Sequence, residues 1–203
     1  MSSRFMQDLD MVSTNLPARN SASSYDGVTI FFHWLTAVLV VALFGSSYWW
    51  NALPGGTPMR KWLQAFHVSL GILIVVVFLA RVLWRAIKGR KLPAANKGHA
   101  HLATRTVHVL LYALLTVQIV LGFLLRWAQA EEFEFFGLFA VPSLFAQDKP
   151  LAKIYEALHN YTGWAIVILA GGHAIAALVH HYVLRDGVLR RMLPGGTEVT
   201  AAE

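Results

Sequence analysis

Six histidines, with His181 beside the last of them, lie inside long apolar stretches that otherwise carry no Asp, Glu, Lys or Arg: His33, His67, His108, His159, His173 and His180. Ionisable side chains at membrane depth are costly and by default functional. A single one is more often a helix–helix hydrogen bond than a ligand, but six without one carboxylate change that balance. A proton relay mixes in Asp or Glu. A carboxylate di-iron site needs several acidic residues, and Glu156-Ala157-Leu158-His159, though correctly spaced, stands alone. Zinc takes about four ligands, more than one half of these stretches supplies. Neutral imidazoles in opposed pairs suit six-coordinate haem iron.

His159 and His173 are fourteen residues apart, close to four helical turns, so both face the same way about 21 Å apart along one axis. His180 follows seven residues later near the same stripe. Down that face run His159, Gly163, Ile166, Ala170, His173, Ala177 and His180. Small residues between imidazoles leave a flat wall of the kind a wide planar ligand needs.

The elements that hold these residues follow from composition. The 203 residues are 56% hydrophobic and 14% charged, against roughly 25% charge in a soluble domain. No cysteine is present, which excludes disulfides, thiolate metal sites and covalent C-x-x-C-H haem attachment. Residues 1–27 read as a polar tail with no signal-peptide pattern. Spans are expected over about 28–50, 62–80, 106–125 and 157–184, each near the roughly 20 apolar residues a bilayer core demands. Residues 185–203 form a second polar tail. The Phe133 to Phe145 section is aromatic but broken by Gly137 and Pro142, and is expected to lie in the membrane interface.

Four spans put both termini on one side. That side collects twelve of the seventeen basic residues, among them Arg81, Arg85, Lys88, Arg90, Lys91, Lys97 and Arg105 between the second and third spans. The positive-inside rule then makes both termini cytoplasmic. The basic residues bracket apolar segments instead of lining a phosphate-binding face, so nucleic acid is not an expected partner. The expected fold is an all-α membrane protein, a four-transmembrane-helix bundle.

Depth sorts the histidines. His67 lies six residues after Lys61, and His159 six after Lys153, so both imidazoles sit roughly 9 Å inside the outer boundary. They are the two histidines of the outer half and form one pair. Gly71 and Gly163, each four residues further on, are expected to give a macrocycle room. On the inner side His33, His108, His173, His180 and, behind them, His181 are candidates, and spacing does not choose between them.

His33-Trp34, His67-Val68-Ser69-Leu70-Gly71, His159-Asn160-Tyr161-Thr162-Gly163-Trp164, and His173 through His180-His181-Tyr182 to Arg185-Asp186-Gly187 and Met192 together resemble the bacterial cytochrome b561 family. The resemblance covers roughly residues 25–194. It is similar to the branch that passes electrons between superoxide and ubiquinone, and to the membrane cytochrome subunits of hydrogenases. It implies a bacterial inner-membrane protein with two haems b: the inner iron held by His33 and His173, the outer by His67 and His159. It also implies a ubiquinone pocket on the inner side near His180.

One departure bears on substrate. The outer charges Arg60, Lys61, Arg126, Lys149 and Lys153 are balanced by Glu131, Glu132, Glu134, Asp148 and Glu156, so net charge does not steer a small anion to that face. Two functions follow: a dihaem cytochrome moving electrons between an outer donor, superoxide among them, and membrane quinone, or a haem-bearing anchor relaying electrons for a soluble partner such as a hydrogenase or dehydrogenase. A histidine-lined transporter fails on the missing carboxylates. No residue reads as a nucleophile or general acid–base pair, so catalysis, where present, belongs to the cofactor and the activity would be superoxide:ubiquinone oxidoreduction. Trp34, Trp62, Trp127 and Trp164 read as interfacial anchors.

Overall fold

A computed structural model describes residues 24–93 and 98–194. Arg4, Arg19, Lys97, most of the N-terminal tail and residues 195–203 lie outside the described residues. Four helices account for nearly all of the rest: α1 Gly27–Ala52, α2 Pro58–Ile87, α3 Gly98–Ala128 and α4 Lys149–Val179. Each is long and apolar enough to cross a membrane, the last counted to Leu184. The helices overrun the expected spans because hydropathy marks the hydrocarbon core alone. Arg81 and Arg85 are still helical, and Arg85 in the last turn of α2 suits the negative end of the helix dipole.

The starts are written locally. Asp26 caps α1, accepting from the Thr29 backbone N–H at 2.9 Å and the Thr29 hydroxyl at 2.7 Å. Asp148 caps α4 through the Leu151 N–H at 3.0 Å, and Pro150 occupies the first turn, where no amide proton is missed. The expected fourth span does not stay α-helical to its end. After Val179 the chain widens into one π-helical turn, His180–Leu184, closed by Arg185 in the left-handed region at φ 53°, ψ 32°. A 3-10 turn, Leu189–Met192, follows.

α1 packs chiefly on α2, and α3 on α4, so the bundle is two helical hairpins with sparse direct packing between α2 and α3. The core lies in the first hairpin: Leu39 against Leu70, Ile74 and Val77, with Leu115 and Ile119 of α3 leaning on it. No large side chain is fully buried among the described residues, as expected where lipid covers the outer faces.

The segment after α3 folds into a β-hairpin. Phe133–Phe135 (β1) and Phe139–Val141 (β2) pair antiparallel, Phe133 opposite Val141. The turn needs left-handed backbone at Phe136 (φ 48°) and Gly137 (φ 72°); for a phenylalanine that costs about 1–2 kcal/mol. Buried Ser69 of α2 offsets it. Its hydroxyl donates to the Glu134 carbonyl at 3.1 Å and accepts the Phe136 N–H at 3.0 Å. Phe133, 4% exposed, tucks against Phe123.

Candidate functional site

Each histidine pair takes one member from each hairpin. His67 of α2 faces His159 of α4 with ring centroids 6.3 Å apart, and His33 of α1 faces His173 of α4 at 6.4 Å. Two metal–imidazole bonds of about 2 Å each leave nitrogens about 4 Å apart and ring centres roughly 6 Å apart, so both spacings fit one iron between two imidazoles. His108 of α3 joins the inner group, 5.2 Å from His173.

Around the outer pair the partners are neutral. His67 Nδ1 donates to the Leu43 carbonyl at 2.9 Å, with the Ser46 hydroxyl at 3.2 Å. A carbonyl cannot donate, so the proton is on Nδ1 and Nε2 keeps its lone pair, the usual arrangement of a metal-ligating histidine. Trp50 presses its edge on the ring at 4.9 Å. Gln118 donates from Nε2 to His159 Nε2 at 3.1 Å, while His159 Nδ1 is buried with no hydrogen-bond partner. With Nε2 accepting, the proton of a neutral His159 ring is on Nδ1, so ligation through Nε2 requires Gln118 to turn away. A Cβ at Gly122 would stand 3.3 Å from His159 Cε1, so the ring packs close to that glycine. A Cβ would meet nothing within 4 Å at Gly71 and, at Gly163, the Gln118 amide nitrogen at 3.4 Å.

The inner group is built around a cation. Arg81 Nη2 donates to His33 Nδ1 at 3.2 Å and its guanidinium lies over the Tyr112 ring at 5.2 Å. In this arrangement a neutral His33 carries its proton on Nε2, the opposite of His67; ligation through Nε2 requires Arg81 to turn to another acceptor. Arg81 has no acidic partner among the described residues, and the carboxylates of a haem are such acceptors. Donor set and spacing therefore fit haem at both ends, with Arg81 and Gln118 as the groups that must move.

His180 stands apart from the inner pair, at the mouth of the π-helical turn, with Nδ1 paired to the Asp186 carboxylate. His181 stacks edge-on against its neighbour Tyr182. Sequence reasoning missed Gln118, Ser46, Gly122 and the second role of Arg81. The signal for Gln118 was a polar amide deep in the third span, passed over because only charged residues were sought there.

Paired imidazoles on a four-helix membrane bundle define a b-type cytochrome, and the comparison with known sequences agrees. The chain belongs to the prokaryotic cytochrome b561 family, whose profile matches residues 24–195. It is a multi-pass membrane electron-transfer protein of the bacterial inner membrane, of a family that uses haem b. Among its relatives is cytochrome b561 homolog 2 of Escherichia coli K12, 33% identical over 184 residues, which cover 90% of this chain and 95% of that one. Another is the probable superoxide oxidase CybB of Yersinia pestis, 30% identical over 178 residues, covering 84% of this chain and 96% of that one.

Proposed function

We propose that the chain carries two haems b, an outer one between His67 and His159 and an inner one between His33 and His173, and moves electrons between an outer donor and membrane ubiquinone. The observation that carries this reading is the pair of centroid spacings, 6.3 and 6.4 Å, each spanning two hairpins. Bound haem supplies one-electron chemistry. The protein's part is to hold imidazoles and charges: Leu43 and Ser46 fix the His67 ring, Gln118 steadies His159, and Arg81 places positive charge beside the inner pair. The two pairs are fourteen residues apart on α4, so they lie at different depths, about 21 Å apart along its axis.

The basic residues between α2 and α3 support an inner, cytoplasmic face that holds both termini. His180 at that end is the proposed quinone partner, seven residues past His173 and about 10 Å further along. The similarity to a probable superoxide oxidase supports superoxide as the outer donor. A docking anchor for a soluble redox protein is favoured by one observation: Phe136, Leu138 and Phe139 on the hairpin are exposed at 49%, 76% and 52%.

A pyridine haemochrome assay on purified protein is expected to give two haems per chain. Fewer than one, with ample haem supplied during expression, rejects the reading. Superoxide generated at the outer face of proteoliposomes should reduce internal ubiquinone; a requirement for an added soluble protein would favour the anchor.

A further inference from the structure

We infer that Asp186 is a positioning residue that keeps the His180 ring proton on Nδ1, leaving Nε2 as the atom presented to the headgroup of a membrane quinone. The inference rests on the proposed quinone role of His180 and adds the residue that orients it.

Four observations carry it. α4 gives way to a π-helical turn at His180, and such turns recur at functional sites. The turn ends in Arg185 at φ 53° and is followed by Gly187 at φ 76°. Two left-handed residues so close together reverse the chain, and the reversal carries the Asp186 side chain back to the His180 ring. A non-glycine residue in that region costs about 1–2 kcal/mol, which the Arg185 N–H bond to the His180 carbonyl helps offset.

The second observation is the contact itself, between His180 Nδ1 and Asp186 Oδ2. The other carboxylate oxygen accepts the Val188 N–H at 3.1 Å, which locks the side chain from behind. Third, Asp186 is ionised at neutral pH. Its slight burial alone would raise the carboxyl, but the bonds from His180 and Val188 outweigh it and hold the group below the ordinary carboxylate range. An ionised carboxylate only accepts, so Nδ1 must donate.

Fourth, His180 Nε2 has no partner among the described residues, and the two side chains are 24% and 32% exposed. A neutral ring pinned in this way accepts a hydrogen bond from a quinol hydroxyl at Nε2. The same ring with a second proton donates from Nε2 to a quinone carbonyl. An unpinned imidazole divides its proton between both nitrogens and presents the right atom only part of the time.

The test begins with unaltered protein. Nitrogen-15 NMR of histidine-labelled protein in nanodiscs at alkaline pH, with His180 assigned by difference from His180→Gln, should show the proton on Nδ1. A proton on Nε2 overturns the inference without any variant at Asp186. Asp186→Ala should move the proton to Nε2 and slow haem reduction by decylubiquinol about tenfold, the lower end of what a hydrogen-bond partner behind a functional histidine is worth, with both haem spectra intact. Asp186→Asn, which keeps an acceptor for Nδ1–H, should retain the tautomer and most of the rate. Wild-type rates in Asp186→Ala beside a slow His180→Ala would overturn the inference and leave the quinone reading standing. Wild-type rates in both would remove the quinone from this end, and the inference with it. A slow Asp186→Asn with its tautomer retained would also overturn it, since charge and not proton placement would then matter.

Discussion

The two ends of the bundle do the same structural job with opposite chemistry. At the outer end the hydrogen-bond partners of the histidines and of the hairpin turn are neutral: a serine hydroxyl pins the hairpin, a carbonyl and a hydroxyl meet His67, an amide meets His159. The inner end is held by charges. The Asp26 carboxylate accepts from Thr29, from the Trp84 indole at 2.8 Å and from the Arg90 N–H at 3.0 Å, and Arg81 stands among three imidazoles. Neutral partners shape a site without setting its charge. A nearby cation favours whichever state holds the extra electron, so on the proposed two-haem reading the inner centre is expected to be the better electron acceptor of the two.

The largest expected effect separates the ends outright. His67→Ala or His159→Ala should remove one haem and His33→Ala or His173→Ala the other, halving the haemochrome yield with different spectral losses. His108→Ala should leave both, although it stands nearer to His173 than His33 does. If His108→Ala and not His33→Ala abolished the inner haem, the inner pair would have to be redrawn.

Next in size is the charge difference. Replacing Arg81 by Gln should lower the midpoint potential of the inner haem by about 60 mV, a tenfold change in a one-electron equilibrium, and leave the outer haem where it was. Potentiometric titration reads both at once; equal shifts would deny that the asymmetry resides in Arg81.

The smallest effects concern stability. Asp26→Asn should cost about 2 kcal/mol and Ser69→Ala about 1 kcal/mol, charged acceptors being worth more than neutral ones. Thermal melts in detergent would rank them. Slight burial pushes the Asp26 carboxyl up, but the Thr29, Arg90 and Trp84 bonds prevail and hold it well below its ordinary value. Its stabilisation is therefore full above the ordinary carboxylate range and fades as pH falls into the strongly acidic region, whereas that of Ser69 does not depend on pH.

What the sequence made legible follows the same division. Depth is linear along a helix, so counting from Lys61 and Lys153 brought His67 and His159 to one level, where the structure also sets them side by side. The inner partner was not legible from spacing. His33, His108 and His173 share one depth, and choosing among them needs the rotation of three helices. The hairpin escaped because its stabilisation is non-local: Ser69 and Phe136 are 67 residues apart. Asp186 was legible only as part of the family motif, because its contact with His180 depends on the chain reversal at Arg185 and Gly187, beyond the spans.

The pairing of α1 with α2 and of α3 with α4 bears on how the protein is made. Each hairpin satisfies its own backbone within the bilayer, so it can insert as a unit and meet its neighbour afterwards. No histidine pair is complete within either unit, because each takes one ring from each. With the haems held as proposed, cofactor capture would follow the meeting of the hairpins, and a chain that stopped before α4 would anchor in the membrane without a complete histidine pair.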